Sequence, residues 1–373
     1  MFLPLAVSTI LLLLQLAVGK PVKKRWYGVR PLDSGQRSKG SFGPWPLVCD
    51  SQSVRYCFAD ERSQKNLENV VNQAVAKWAH ATLTSNLMII PDNEAALLCS
   101  DKDVRPDALV IFDATKDNDQ AWNYGPDCPT DSATTGYDYR SQDRGRHRLE
   151  FCHLDPQDVK GTAALAVQAM MHELGHAIGL QHEHQRDDRE MYVTFKCEKL
   201  EGYEEAQQKV HIDERAYFDD DLSDEDRMRT TCNDDVVASD YLPAALGFIR
   251  GKLHRLETEK WKSYKNSQPF DYDSIMIYNS HANIPGNVDG MHPENWVLQR
   301  RDNVGPVWQG GSSDPAQAKI TEGDVARVAQ LYPKDDGSSD QAMMPGNWGT
   351  AKAKRLKVKV RGLQVIVEAP RSL

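Results

Sequence analysis

The 373-residue sequence predicts an α+β domain from three observations. Val54, Tyr56 and Phe58 alternate as on a strand, and Ala108 to Phe112 and Arg148 to Cys152 are two further strand candidates. Leu67, Val70, Val71, Ala74, Val75 and Trp78 recur at helical spacing behind a Ser63 cap. The stretch from Thr162 to Ile178 is apolar on nearly every face, as in a helix at the middle of a domain. Asp155-Pro156 supplies its cap and first turn, and Gly179 its end. Between the second and third strands lies a turn-rich stretch, Asp117 to Gly145. A last helix runs from Thr321, capped through Asp324, to Tyr332 and stops at Pro333.

These elements place one folded region at residues 47–333, within which 198–265 is densely charged and reads as a helical insertion. Residues 1–19 are apolar and uncharged but short for a bilayer span, and they close on small residues. We read them as a cleaved signal peptide, a signal anchor being the alternative because the usual basic n-region is missing. Residues 20–46, with Lys23-Lys24-Arg25 as a basic processing site, form a short pro-segment or linker. Residues 334–373 are a flexible tether followed by a basic run from Lys352 to Arg361, a solvated tail or, second, an attachment to polyanions or cell wall.

A hydrophobic fraction of 40% and a charged fraction of 27% exclude wholesale disorder and a multi-spanning membrane protein. The formal charge of −9 makes nucleic acid an unfavourable partner, and after signal cleavage no stretch remains to hold the chain in a membrane. Seven cysteines in an exported chain read as disulfide partners with one left over, so the expected location is extracellular. Asn-x-Ser/Thr sequons are absent. Oligomeric state is not legible.

The apolar helix carries His172-Glu173-Leu174-Gly175-His176, which puts two imidazoles on one face a turn apart with an acid beside them. Gly179 follows three residues later and His182 three after that. A glycine at positive φ turns the chain sharply out of the helix, so His182 can return to the same metal ion. Three neutral imidazoles leave an open position for water on one zinc ion, the arrangement of a catalytic site. Histidines merely packed in a core would have to explain three of them beside a carboxylate in apolar surroundings.

Over these residues the sequence resembles the metzincin peptidases, and among them the astacins, in which a glutamate follows the third histidine, as Glu183 does here. The continuation His184 to Glu190 resembles the astacin extension, and Phe270 to Tyr278 is similar to the segment that forms a methionine turn under the zinc. The resemblance implies a metzincin-type domain with a mixed twisted sheet and an active-site helix. It implies a secreted zinc metalloendopeptidase in which Glu173 is general base and acid. Met276 then floors the site, and Tyr278 is an extra zinc ligand that swings away to hydrogen-bond the oxyanion. Protein or peptide substrates would bind extended, adding a strand along the edge near Arg148 to Cys152 or the preceding Trp122-Asn123-Tyr124 segment.

Cys128 with Cys152 matches a bridge of the family, and Cys197 with Cys232 could staple the insertion. The chain departs from the family at Ile277, where a histidine is usual, at the cysteine missing from the last helix, and in having no recognisable latency motif between Lys20 and Pro46. An amine freed after Arg25 could reach Glu183. A serralysin-like metzincin would lack Glu at position 183 and carry glycine-aspartate calcium repeats, which this chain lacks. A binding protein that kept the fold without catalysis is the other alternative.

Overall fold

A computed structural model describes residues 42–48, 51–93, 97–115, 131–152, 162–212, 217–218, 221–251 and 269–334. The expected signal and processing segments, the Asp155-Pro156 helix start, Trp122 to Tyr124, Cys49, Cys128 and the basic tail lie outside these residues. No helix of the described residues is long and apolar enough to cross a membrane.

The architecture is α+β, built on a mixed sheet. Its strands are β1 (Phe42–Gly43), β2 (Leu47–Val48), β3 (Ser51–Phe58), β4 (Leu87–Pro91), β5 (Leu109–Asp113), β6 (Ser132–Ala133), β7 (Tyr137–Asp138) and β8 (Arg148–Phe151). β3 pairs in parallel with β4 and β5, β5 pairs in parallel with β8, and β6 closes the edge antiparallel to β8. β2 joins β3 antiparallel, while β1 and β7 form a separate antiparallel pair.

The alternation at Val54, Tyr56 and Phe58 marks one buried face of β3, but the other face is buried too. There Arg55 is matched by Asp92 and Asp107, each at 3.1 Å, and Cys57 is bonded to Cys99. A central strand covered on both sides can carry an arginine only if its charge is met inside.

Helix α1 (Glu61–Lys77) is capped by Asp60, whose side chain accepts from the Ser63 N–H at 2.7 Å. The expected Ser63 cap is therefore corrected. Ser63 sits in the first turn, fully buried, and its hydroxyl accepts from the Asp113 N–H of β5 at 3.0 Å. A carboxylate three residues ahead of a free helical N–H outcompetes the serine for the capping position. α2 (Ala79–Thr84) follows, and α3 (Thr162–Ile178) runs through the core. The fully buried Trp78 and Trp45 donate their indole N–H groups to the carbonyls of Met171 and Ala177, at 3.0 and 2.8 Å. Both rings thus bury apolar area against α3 with their polar edge satisfied.

Residues 203–241 supply α4 (Tyr203–Ile212), α5 (Asp224–Thr231) and α6 (Asp235–Tyr241), followed by a 3-10 turn, Pro243–Phe248. They pack into a second core around Val210, Met228, Tyr241, Phe248 and Val297, beside the β9 (Val193–Phe195) and β10 (Leu298–Arg300) ribbon. Cys197 and Cys232 are bonded to each other, and Cys152 is disulfide-bonded as well. The helix expected at Thr321 is α7 (Glu322–Leu331), with a capping box between Thr321 and Asp324.

The segment 274–278 stitches the two cores together. Met276 lies in the sheet core and Ile277 in the second, both fully buried. A histidine at 277 would have to satisfy two ring nitrogens in that apolar surrounding, which accounts for the isoleucine.

Gly175, in the middle of α3, faces Met276 so closely that a Cβ would collide with its Sδ and come to 3.3 Å from Trp78 Cζ2. On an open helix Gly→Ala gains about 1 kcal/mol. Here overpacking costs about 1–3 kcal/mol, so Gly175→Ala should lower the melting temperature on balance. An unchanged or raised melting temperature would show that Met276 moves aside freely.

Candidate metal centre

α3 places His172 and His176 on one face, each more than nine-tenths buried. The helix ends as a Schellman motif, in which Gly179 takes φ 118°. The Gly179 N–H reaches the His176 carbonyl at 2.8 Å, and the Leu180 N–H reaches that of Gly175 at 2.9 Å. A side chain at that φ is strained, so a glycine is required where the chain turns back. The turn delivers His182 to the other two: its Nε2 lies 3.0 Å from that of His172 and 3.1 Å from that of His176.

The ring nitrogens on the far sides fix what those short distances mean. His172 Nδ1 lies 2.8 Å from the Ile275 carbonyl, His176 Nδ1 2.8 Å from the Leu180 carbonyl, and His182 Nδ1 3.0 Å from Gln185 Oε1. Carbonyl and amide oxygens only accept, so His176 and His182 carry their protons on Nδ1 and present bare Nε2 lone pairs; His172 does the same with Gln309 Nε2, 2.7 Å from its Nδ1, donating to the shared Ile275 carbonyl at 3.1 Å. Three lone pairs gathered within 4.8 Å of one another, two of the separations being about 3 Å, cannot hydrogen-bond one another. They fit a cation. Three imidazoles without thiolate suit zinc with a position left over, and among the described residues this is the one such histidine cluster. Burial holds the imidazoles in the neutral form that binds metal: His176 is depressed to about 4, and His172 and His182 fall well below the ordinary range.

Glu173 is buried beside them, and its Oε2 meets no hydrogen-bond partner among the described residues. Desolvation, and then the charge of Asp131, push its carboxyl well above the usual carboxylate range. The Tyr278 ring stands 4.6 Å from His182 and 4.5 Å from His184, its phenol raised by burial and then by Glu173. A cleft of about 390 Å³ opens onto Glu173, His176, His182 and Tyr278, with Asp131, Ser132 and Ala133 along its β6 side.

β8 does not border this cleft as a free edge. It is paired with β5 on one side and β6 on the other, so the sheet edge near Arg148 to Cys152 is β6 rather than β8 itself. The edge is β6, two residues long inside a stretch that reads as turn. Asp131, just before it, is raised to about 6 by burial and accepts from the Cys152 N–H at 2.8 Å.

Met276 lies beneath α3, and its carbonyl accepts from the Glu183 N–H at 2.9 Å. Glu183 is buried and meets Arg186 and Arg327, each at 2.8 Å, together with the Asp271 N–H at 2.8 Å. Burial raises its pKa, and Arg327 and Arg186 pull the other way. Two guanidinium groups thus match the carboxylate considered above as the target of a freed amine. Arg327 escapes a sequence reading because its partner lies 144 positions away; only its place on an otherwise apolar helix face hints at it.

Comparison with known proteins agrees with this arrangement over part of the chain. Residues 158–220 match the family model described as Astacin, a peptidase family. A 42-residue stretch is 45% identical to Astacin-like metalloprotease toxin 4 of Loxosceles laeta, covering 11% of this chain and 37% of that relative, little more than a third of its length. Among solved structures, High choriolytic enzyme 1, a hatching enzyme zinc-protease of the medaka fish Oryzias latipes, aligns with a TM-score of 0.44 at 14% identity, over 82% of this chain and 98% of its own. Myroilysin aligns with a TM-score of 0.36 at 12% identity, over 78% of this chain and 95% of its own. From residue 158 to residue 220, a span that holds all three histidines, the chain is astacin-like.

Proposed function

We propose that the chain is a secreted zinc metalloendopeptidase that hydrolyses peptide bonds in proteins or peptides. The observation that carries this reading is the convergence of three bare Nε2 lone pairs beside a buried carboxylate with an unpartnered oxygen. His172, His176 and His182 would hold one zinc ion, which when bound supplies Lewis-acid polarisation of the scissile carbonyl and acidifies water.

Glu173 takes the proton of the attacking water at Oε2 and returns it to the leaving amine. Burial raises the affinity of this carboxyl for a proton, which favours keeping the proton on Glu173 between the two halves of that transfer. The Tyr278 phenol stays protonated at neutral pH and donates to the developing oxyanion at no cost in net charge. An extended substrate adds to the sheet at β6, the antiparallel edge beside the cleft. Gly179 and Met276 support the ligands, and Glu183 anchors the turn that bears His182.

Secretion is proposed on the apolar N-terminus at 1–19 together with cysteines that are disulfide-bonded in the described domain. We assign 47–333 to the peptidase domain, 20–46 to a pro-segment or linker and 334–373 to a tail.

Glu173→Ala should bind zinc as the unaltered protein does and lose about 100- to 10,000-fold in kcat on a casein substrate. Substantial residual turnover would remove Glu173 from the chemistry. Tyr278→Phe should lower kcat by about 100-fold or more with little change in KM, and a pure KM effect would make the phenol a binding group. A chelator should abolish cleavage and added zinc restore it; cleavage that persists in metal-free protein would sink the metallopeptidase reading.

A further inference from the structure

The three histidines are not held alike. His172 and His176 each meet a main-chain carbonyl, those of Ile275 and Leu180, whose positions the methionine-bearing turn and the helix end determine, and Gln309 Nε2 lies beside His172 Nδ1 at 2.7 Å. His182 donates to a side chain, Gln185 Oε1. Gln185 is buried, and its Nε2 reaches the Leu246 carbonyl at 3.4 Å.

A main-chain carbonyl only accepts, so Leu246 turns the amide until its NH2 faces Leu246 and its oxygen faces the ring. That oxygen holds the proton on His182 Nδ1 and leaves Nε2 bare toward the other two histidines. The next carbonyl acts in parallel. Gly247 accepts from His184 Nε2 at 2.8 Å, so His184 Nδ1 is free to accept from the Tyr278 N–H at 3.2 Å. The His182, His184 and Tyr278 rings pack as a triangle, with centroids 4.5 to 5.0 Å apart. A Cβ on Gly247 would come to 3.0 Å from the Tyr278 ring, so this backbone also braces the tyrosine.

We propose that Gln185 is the positioning residue for the third metal ligand, relaying the orientation of the Leu246 carbonyl to the tautomer of His182. This rests on the zinc reading given above. Gln185 stands in the wall of the cleft, and the role proposed for it is exerted through His182.

The test uses full-length protein stripped of metal and reloaded, with zinc affinity measured against a competing chelator and ligand geometry read from the absorption bands of the cobalt(II) form. Gln185→Leu should weaken zinc binding by about 10- to 100-fold and alter the cobalt bands. Gln185→Glu keeps an acceptor for His182 but has no donor for Leu246, and it should bind zinc as tightly as the unaltered protein or tighter. If Gln185 were only a strut to Leu246, the glutamate variant would lose as much as the leucine variant, and the proposal would be overturned. Leucine-variant affinity equal to that of the unaltered protein would overturn it as well. Should Gln185→Leu fail to fold, as judged by circular dichroism, the glutamate variant decides alone: undiminished affinity supports the relay, and a tenfold loss refutes it. Unaltered protein that takes up no zinc would instead refute the metallopeptidase reading, and the relay with it.

Discussion

Three imidazole nitrogens that converge, with His182 Nε2 at 3.0 and 3.1 Å from the other two, are the constraint on which the rest of this molecule depends. Without a cation the arrangement is repulsive, and burial adds to the cost of protonating any ring to relieve it. The fold maintains it through interactions far larger than a single histidine could supply. α3 is wedged by Trp45 and Trp78, the Schellman end directs the chain back, and the Met276 turn fills the space beneath Gly175. The ligands are therefore held in place by packing and hydrogen bonds outside the histidines themselves.

That placement needs the two cores to keep a fixed relation, and a buried charge network holds it. Asp324 accepts from the Ser274 hydroxyl at 2.6 Å and from the Ile275 N–H at 3.0 Å, which ties α7 to the turn that carries Met276. Arg327, one turn on, pairs with Asp324 and reaches Glu183. Arg186 continues from Glu183 to Asp188 at 2.9 Å. Burying so many charges returns little net stability, because desolvation offsets much of the Coulomb gain. Directional pairing supplies position instead. Removing any one partner strands another charge in a dry interior, so the segments at 183–188, 271–276 and 324–327 are held in one register.

The legible part of the site is the part written locally. His172, Glu173, His176, Gly179 and His182 lie within eleven residues, and helix geometry plus one glycine converts their spacing directly into proximity. Thr321 and Asp324 are legible for the same reason, since a capping box is complete in four residues. Ser63 misleads because Asp60 competes for the same helix end, and the winner depends on the buried Asp113 N–H that engages the serine from β5. β6 escapes notice because two residues carry no period. β4 escapes because Leu87 to Ile90 is a short apolar run ahead of a proline, which reads equally as the end of the preceding helix. The Cys57–Cys99 bond and the Arg327–Glu183 pair are set by topology, and spacing has no access to them.

The charged stretch after residue 198 looks in sequence like an addition to a finished domain, but its chemistry reaches the histidines. Its helices bury Met228, Val237, Tyr241 and Phe248 in the second core, and that core also contains Ile277, next to the turn methionine. Phe248 packs edge-on against Tyr278 at 5.5 Å and at a tilt against His184 at 5.4 Å. The 3-10 turn 243–248 then aims two consecutive carbonyls at Gln185 and His184. A peptide carbonyl cannot reverse its polarity, so two adjacent ones pointing the same way dictate which atoms of both side chains donate. The order of protons around the third histidine is thereby written some 60 residues away, in a segment that contributes no ligand of its own.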